Sequence, residues 1–252
     1  MPERGAGAIA RGRRGRTTRS DGTMSCEQAL AWLQAHGTRR GVADLERYGI
    51  VAERAHGVPM RVLLALARQL GADQALSLAL WDSGWYEARL LAALVGDPAR
   101  VTRRQMNAWA AGFENWGDAD TACFKLFDRV PFAAELAPRW AASPREFTRR
   151  GGFALMACLA LHDKAAPDAT FLAFLPLVEQ GARDERNFVK KGVSWALRSI
   201  GRRNAALNAA ALATARRLGA RTDAASRWVG KDAAREFAKR KARPKKASRR
   251  AG

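Results

Sequence analysis

Apolar residues return every three or four positions along most of this chain, in blocks cut by glycine, proline and aspartate. Leu63, Leu66, Ala67 and Leu70 mark one such stripe, and Phe188, Val189, Gly192 and Trp195 mark another. Such a period puts those side chains on one face of an α-helix. The pattern predicts thirteen helices, over 26–36, 39–49, 60–70, 73–82, 85–95, 102–114, 117–128, 131–141, 145–162, 168–180, 185–201, 204–218 and 222–239. Start and stop signals agree with it. Thr102 offers a hydroxyl to a helix start, Ser143-Pro144 puts a proline just inside the next, and Gly37, Gly71 and Gly181 follow helix ends. No run of strand alternation bounded by hairpin turns is visible. The expected fold class is all-α.

Thirteen short helices with brief connections suit helix pairs stacked side by side better than one four-helix bundle. Arg103, Arg145 and Arg186 each open an apolar stripe, and each follows a breaker: Asp97-Pro98, Ser143-Pro144 and Arg183-Asp184. The implied period is about 35–45 residues, that of HEAT-type helical repeats. Stacked repeats of this kind bury one continuous core and leave a long concave face, here expected to be basic. The expected division is a basic N-terminal extension over 1–23, one solenoid domain over 24–238 and a basic tail over 239–252.

Composition supports helix and narrows the partners. Of 252 residues, 48% are hydrophobic, enough for a real core. Alanine is abundant while the β-branched residues that sheets rely on are scarce. Lys and Arg number 44 against 24 acids, a net charge of +20. Residues 1–20 and 239–252 hold much of that excess, yet the body between them stays basic, and a basic body with basic tails suits a polyanion. No apolar run approaches the roughly 20 residues of a bilayer-spanning helix, so no membrane partner is expected. The first residues lack the apolar core of a secretory signal; they are arginine-rich, as in an organelle transit peptide. Met24-Ser25-Cys26-Glu27 opens the first amphipathic helix, so either Met1 or Met24 can serve as the start, and intact mass distinguishes them. Cys26, Cys123 and Cys158 are an odd number, far apart and without CxxC spacing. This argues against a disulfide framework or cysteine zinc site and suits a reducing cytosol, hence a cytoplasmic protein.

The chemistry inventory is short. No GxxxxGK[ST], strand-linked GxGxxG, HExxH or GxSxG is present, and His36, His56 and His162 stand apart from any second ligand. No cofactor or metal is called for. His162 reads as a histidine at a helix C-terminus. Three segments remain. In Asn115-Trp116-Gly117-Asp118-Ala119-Asp120, a helix starting near Trp116 would put Trp116 and Asp120 on one face. An indole beside a carboxylate can stabilise a developing positive charge; the plainer alternative is a core Trp with two acids favouring a helix N-terminus. In Arg186 to Arg198, Lys190, Lys191 and Arg198 could meet phosphates while Trp195 lies one turn beyond Lys191; the plainer alternative is a core Trp with a solvated basic face. Arg149-Arg150-Gly151-Gly152 puts paired arginines early in a helix whose small residues allow close approach.

Together these segments resemble the AlkD-type DNA alkylation repair glycosylases, a HEAT-like repeat family. The resemblance runs from about Tyr48 to Asp223 and includes Trp85 to Ala92, Asn115 to Asp120, Phe147 to Ala157 and Asn187 to Arg198. It implies an enzyme that excises cationic N3- or N7-alkylated purines from double-stranded DNA, acting as a monomer without a cofactor. It also implies roles for matching positions. Trp116 and Asp120 would form the catalytic element with Trp195 as a second wall, Asp120 stabilising the oxocarbenium-like sugar. Arg150 would hold a phosphate, with Arg149, Lys190, Lys191 and Arg198 as further DNA contacts. No pocket for an extruded base is visible in the sequence, and the resemblance implies none is needed. Gly117 and the Gly151-Gly152 pair depart from the family pattern, and Asp118 is an extra acid. The alternative is a non-catalytic HEAT-repeat protein that binds damaged or branched DNA.

The basic tail separates electrostatics from chemistry. Residues 239–252 hold eight Lys/Arg and no acid, and nothing in them could orient a carboxylate. Deleting them should weaken DNA binding and flatten its salt dependence by about 0.9 log unit for each phosphate the tail neutralises. Single-turnover excision at saturating protein should stay almost unchanged; a large fall in that rate would refute the division.

Overall fold

The computed structural model describes residues 24–242. Among them are thirteen α-helices, one short 3-10 turn and no strand. The helices are α1 (Cys26–His36), α2 (Arg39–Arg47), α3 (Met60–Leu70), α4 (Gln74–Asp82), α5 (Tyr86–Val95), α6 (Arg103–Ala111), α7 (Trp116–Lys125), α8 (Ala133–Ala141), α9 (Glu146–His162), α10 (Asp168–Gly181), α11 (Asn187–Gly201), α12 (Ala205–Gly219) and α13 (Ala224–Ala242), and the 3-10 turn is Phe127–Arg129. Each expected helix is found, with ends that move by no more than three residues. The shifts have local causes. Helix α6 stops at Gly112 because Asn115 must sit outside α7 to cap it. Pro144 stands before the α9 cap rather than inside the helix, the Ser143 hydroxyl accepting from the Arg145 N–H. Helix α13 runs four residues into the expected tail, the rest of which lies outside the described residues, as does the expected 1–23 extension.

Ser25, Thr38, Asp73, Thr102, Asn115 and Asn204 each accept a backbone N–H at a helix start, satisfying donors the first turn cannot pair itself. From α4 onward the helices alternate between two rows. Four of the second-row helices pair with their predecessors: α5 on α4, α9 on α8, α11 on α10 and α13 on α12. The second helices also pack on one another in the order α5, α7, α9, α11, α13. They begin at Tyr86, Trp116, Glu146, Asn187 and Ala224, so the repeat is about 40 residues long on the C-terminal side, as expected, and only about 30 on the N-terminal side, shorter than the expected period. Arg103 opens a first-row helix whereas Arg145 and Arg186 cap second-row ones, so the three arginines do not mark equivalent points. Short α6 and α7 compress that part of the repeat.

Both rows pack closely around one core that includes Phe127, Phe153, Phe171, Met106 and Met156. At the α8–α9 crossing a Cβ on Gly152 would fall on the backbone nitrogen of Ala141 and close to the Ala137 carbonyl. Of the glycine pair that departs from the family pattern, Gly152 is therefore where two helix backbones touch, while Gly151 faces the Phe113 ring. Gly152→Ala should lower stability by about 1–3 kcal/mol through forced separation of α8 and α9. Gly219→Ala, whose methyl would meet no atom within 4 Å, should hold or gain, since alanine is about 1 kcal/mol better than glycine in a helix. Urea unfolding of the two variants checks this; equal midpoints would refute the close-contact argument.

Candidate active site

The second-row helices carry every residue singled out from the sequence. Trp116 and Asp120 lie on α7, Arg149 and Arg150 on α9, and Lys190, Lys191, Trp195 and Arg198 on α11. Helix α7 starts where it does because of a reciprocal cap. The Asn115 side chain accepts from the N–H groups of Gly117 (2.9 Å) and Asp118 (3.1 Å). The Asp118 carboxylate in turn accepts from the N–H groups of Glu114 (3.0 Å) and Asn115 (3.3 Å). Arg89 of α5 pins the same segment, pairing with Glu114 at 2.8 Å and facing Asp118 at 3.7 Å. Gly117 is required here, since a Cβ would run into the Tyr86 hydroxyl.

This assigns the two acids. Asp118, 1% exposed, is taken up by the cap. Asp120, one turn beyond Trp116, keeps 19% of its side chain open and faces Arg150. Arg150 grips it with both ends of the fork, Nε to Oδ1 at 2.9 Å and Nη2 to Oδ2 at 2.7 Å, while Nη1 donates to the Phe188 carbonyl at 2.6 Å. The guanidinium carbon lies 5.9 Å from the Trp116 ring centroid. Gly192 of α11 leaves room for the arginine, since a Cβ there would sit 3.3 Å from its Cγ. Burial pushes the Asp120 carboxyl above its ordinary value, and the Arg150 charge and hydrogen bonds pull against that.

Trp116 is held from the other side. Its Nε1 donates to the Tyr48 carbonyl at 3.0 Å. Tyr48 ends α2, and Gly49, at φ 69°, makes the left-handed turn that lets Ile50 N–H return to Leu45. A cleft of about 440 Å3 opens beside the indole, lined by Tyr48, Val58, Met60, Tyr86, Leu90 and Trp116 among others. The buried Glu87 carboxylate shapes its far wall by accepting from the N–H groups of His56, Gly57 and Val58.

The structure thus joins Trp116, Asp120 and Arg150 directly. Trp195 stands half-buried on α11 and is outside that set of contacts. Arg149 faces Asp184 at 3.3 Å. Arg198 faces Asp232 and Glu236, so in the free protein its charge is countered within the fold. Lys190 and Lys191 lie over the rings of Trp228 and Phe188. His162 ends α9 and pairs with the buried Asp128. Sequence reasoning missed Tyr48, Glu87, Arg89, Phe188 and Gly192. Each acts through a partner distant in the chain or through its backbone, and local pattern carries no sign of that.

A model of the DNA alkylation repair enzyme family matches residues 29–237. The chain belongs to that family. No curated protein matches it. Among solved structures, it is similar to a member of a new family of proteins related to the HEAT-like repeat DNA glycosylases with affinity for branched DNA structures. The two share 20% identity and a TM-score of 0.72, over 85% of this chain and 96% of the other. That likeness establishes the HEAT-like fold. Among the described residues of this alkylation repair family member, no helix is long and apolar enough to cross a membrane.

The cap acid gives the site a pH signature. Burial, outweighing the hydrogen bonds and Arg89, pushes the Asp118 carboxyl up to about 7. Unfolded, the same group titrates near 4. Between those values the folded state binds the proton more firmly, so this group's contribution to stability is full below about pH 4 and is lost as pH rises through about 7, by at most about 1.4 kcal/mol per pH unit. Denaturant midpoints of the wild type minus those of Asp118→Asn should fall from pH 4.5 to 8. A difference that rises with pH would show the cap carboxylate to be stabilised by its ionisation.

Proposed function

We propose that this protein hydrolyses the N-glycosidic bond of N3- or N7-alkylated purines in DNA. The observation that carries the reading is Asp120, a carboxylate gripped by the Arg150 guanidinium one helical turn beyond the Trp116 indole, left partly open while its neighbour Asp118 is used up in the cap. An alkylated purine already carries positive charge, so it departs as a neutral base with the bonding electron pair. What grows at the barrier is positive charge on C1′ of the deoxyribose, and a preorganised carboxylate in a partly water-excluded site stabilises it. Water then bonds to C1′, with Asp120 positioned to take its proton, leaving an abasic site and free base. Trp116 and Trp195 would wall the sugar, each cation–π-like contact contributing about 0.5–2 kcal/mol.

Arg150 has two tasks in this reading. In the free protein its charge and hydrogen bonds oppose the upward pull of burial on the Asp120 carboxyl. On DNA its fork would turn to a phosphate, a geometry it also suits, as the cationic nucleotide takes its place beside Asp120. Lys190 and Lys191, without ion-pair partners among the described residues, supply further phosphate contacts, and Arg149 and Arg198 do so where an anion competes with their carboxylates.

The second reading, a non-catalytic protein for damaged or branched DNA, is favoured by the structural neighbour's affinity for branched DNA. One assay decides between them. On methylated DNA the wild type should release 7-methylguanine, and Asp120→Asn should cut the rate by at least about a hundredfold while binding DNA nearly as well. Full activity in that variant would defeat the catalytic assignment, and no release by the wild type would favour the binding protein.

A further inference from the structure

The row of second helices continues past the catalytic cluster. From Arg150 the contacts pass to the Phe188 carbonyl, from the Phe188 ring to the Lys191 ammonium at 5.9 Å, and along α11 to Lys190, which lies 5.2 Å from the ring centroid of Trp228 on α13. Trp228, 38% exposed, is the only exposed tryptophan among the described residues. Lys231, Arg235 and Lys239 follow it at helical spacing, all exposed and none in an ion pair among the described residues. The acids of α13 are turned to α11 instead. Asp232 accepts from Ser194 and pairs with Arg198, and Glu236 pairs with Arg198 and Arg202. The helix therefore sorts its charges, acids inward and cations outward, with an indole at the head of the cationic stripe.

We propose that Trp228, with Lys190, Lys231 and Arg235 around it, is a second DNA contact on which an unpaired base stacks at a fork or strand end. It rests on the preceding reading only in placing DNA along this row. Packed helices lie about 8–10 Å apart, so α13 stands about 16–20 Å beyond α9, or about five to six base pairs along a duplex rising 3.4 Å per pair. Phosphates would use the lysines and arginines and gain nothing from an exposed indole. Bases inside a duplex have both faces covered by their neighbours. An unpaired base has a free face, and stacking on an aromatic ring is strong enough to change affinity about five- to a hundredfold. Lys190 covers the indole in the free protein, but its ammonium is a point charge on a flexible stem and moves to a flanking phosphate when a base takes the ring.

The test uses the full chain and unmodified DNA. A blunt duplex and a forked duplex of equal length are compared, the fork carrying 2-aminopurine as its first unpaired base. Binding by the wild type should quench that fluorophore. Trp228→Leu, which keeps apolar bulk but has no ring, should lose the quenching and weaken fork binding roughly tenfold, with a smaller effect on the blunt duplex. Trp228→Phe should retain most of both. No quenching by the wild type, undiminished quenching by the leucine variant, or equal weakening on fork and blunt duplex would each overturn the proposal. Excision without fork stacking would leave the glycosylase reading standing and remove this one; fork stacking without excision would do the reverse.

Discussion

The Arg150 guanidinium divides its donors between two helices, Nε and Nη2 on the Asp120 carboxylate of α7 and Nη1 on the Phe188 carbonyl of α11, while its own backbone belongs to α9. Three consecutive second-row helices thus meet at one side chain. A buried ion pair adds little net stability, because desolvation offsets most of the attraction, yet leaving either partner alone is costly. Its value here is geometric. A bidentate fork fixes the carboxylate in angle as well as distance, and the missing Cβ at Gly192 is what lets α11 come close enough to complete the arrangement.

Asp118 and Asp120 show how one turn of helix separates two identical groups. Asp118 sits at the third position after the cap, where a carboxylate bonds back to the chain before the helix. Asp120 lies on the face that meets α9. Each is raised by burial, but Asp118 is countered mainly by backbone N–H groups and Asp120 by a guanidinium. Backbone groups cannot leave, whereas a guanidinium can swing to another anion. Only Asp120 stands where ligand arrival could change its surroundings.

The helices were readable because a 3.6-residue period repeats many times over and caps announce themselves locally, as at Thr102. The Trp116–Asp120 spacing was equally legible, since residues four apart share a face wherever the helix begins nearby. The Arg150 fork on Asp120 spans thirty positions of chain, and only the family resemblance put the two residues in one site. The phase of the repeat was not legible. Arg103 and Arg145 look alike in sequence, but one opens a first-row helix and the other caps a second-row helix, a difference made by packing. Contacts made through backbone, such as Tyr48 with Trp116 or Phe188 with Arg150, leave no trace in residue type. The partners of Arg149 and Arg198 were hidden for a related reason: a basic stripe reads the same whether it faces solvent or an acid on the next helix.

The three-helix junction at Arg150 also has a bearing on partial unfolding. In a stacked repeat each unit leans mainly on its neighbours, so terminal units open at lower cost than central ones. The α12–α13 pair can come away without disturbing a contact between Arg150, Asp120 and Phe188. Release of α10 and α11 removes the Phe188 carbonyl and opens the Arg150–Asp120 pair to water, where an ion pair holds its geometry far less firmly. The site is therefore an interior property of the array, present in a partly frayed molecule and dismantled as a unit once the fraying reaches the second helix pair from the C-terminal end.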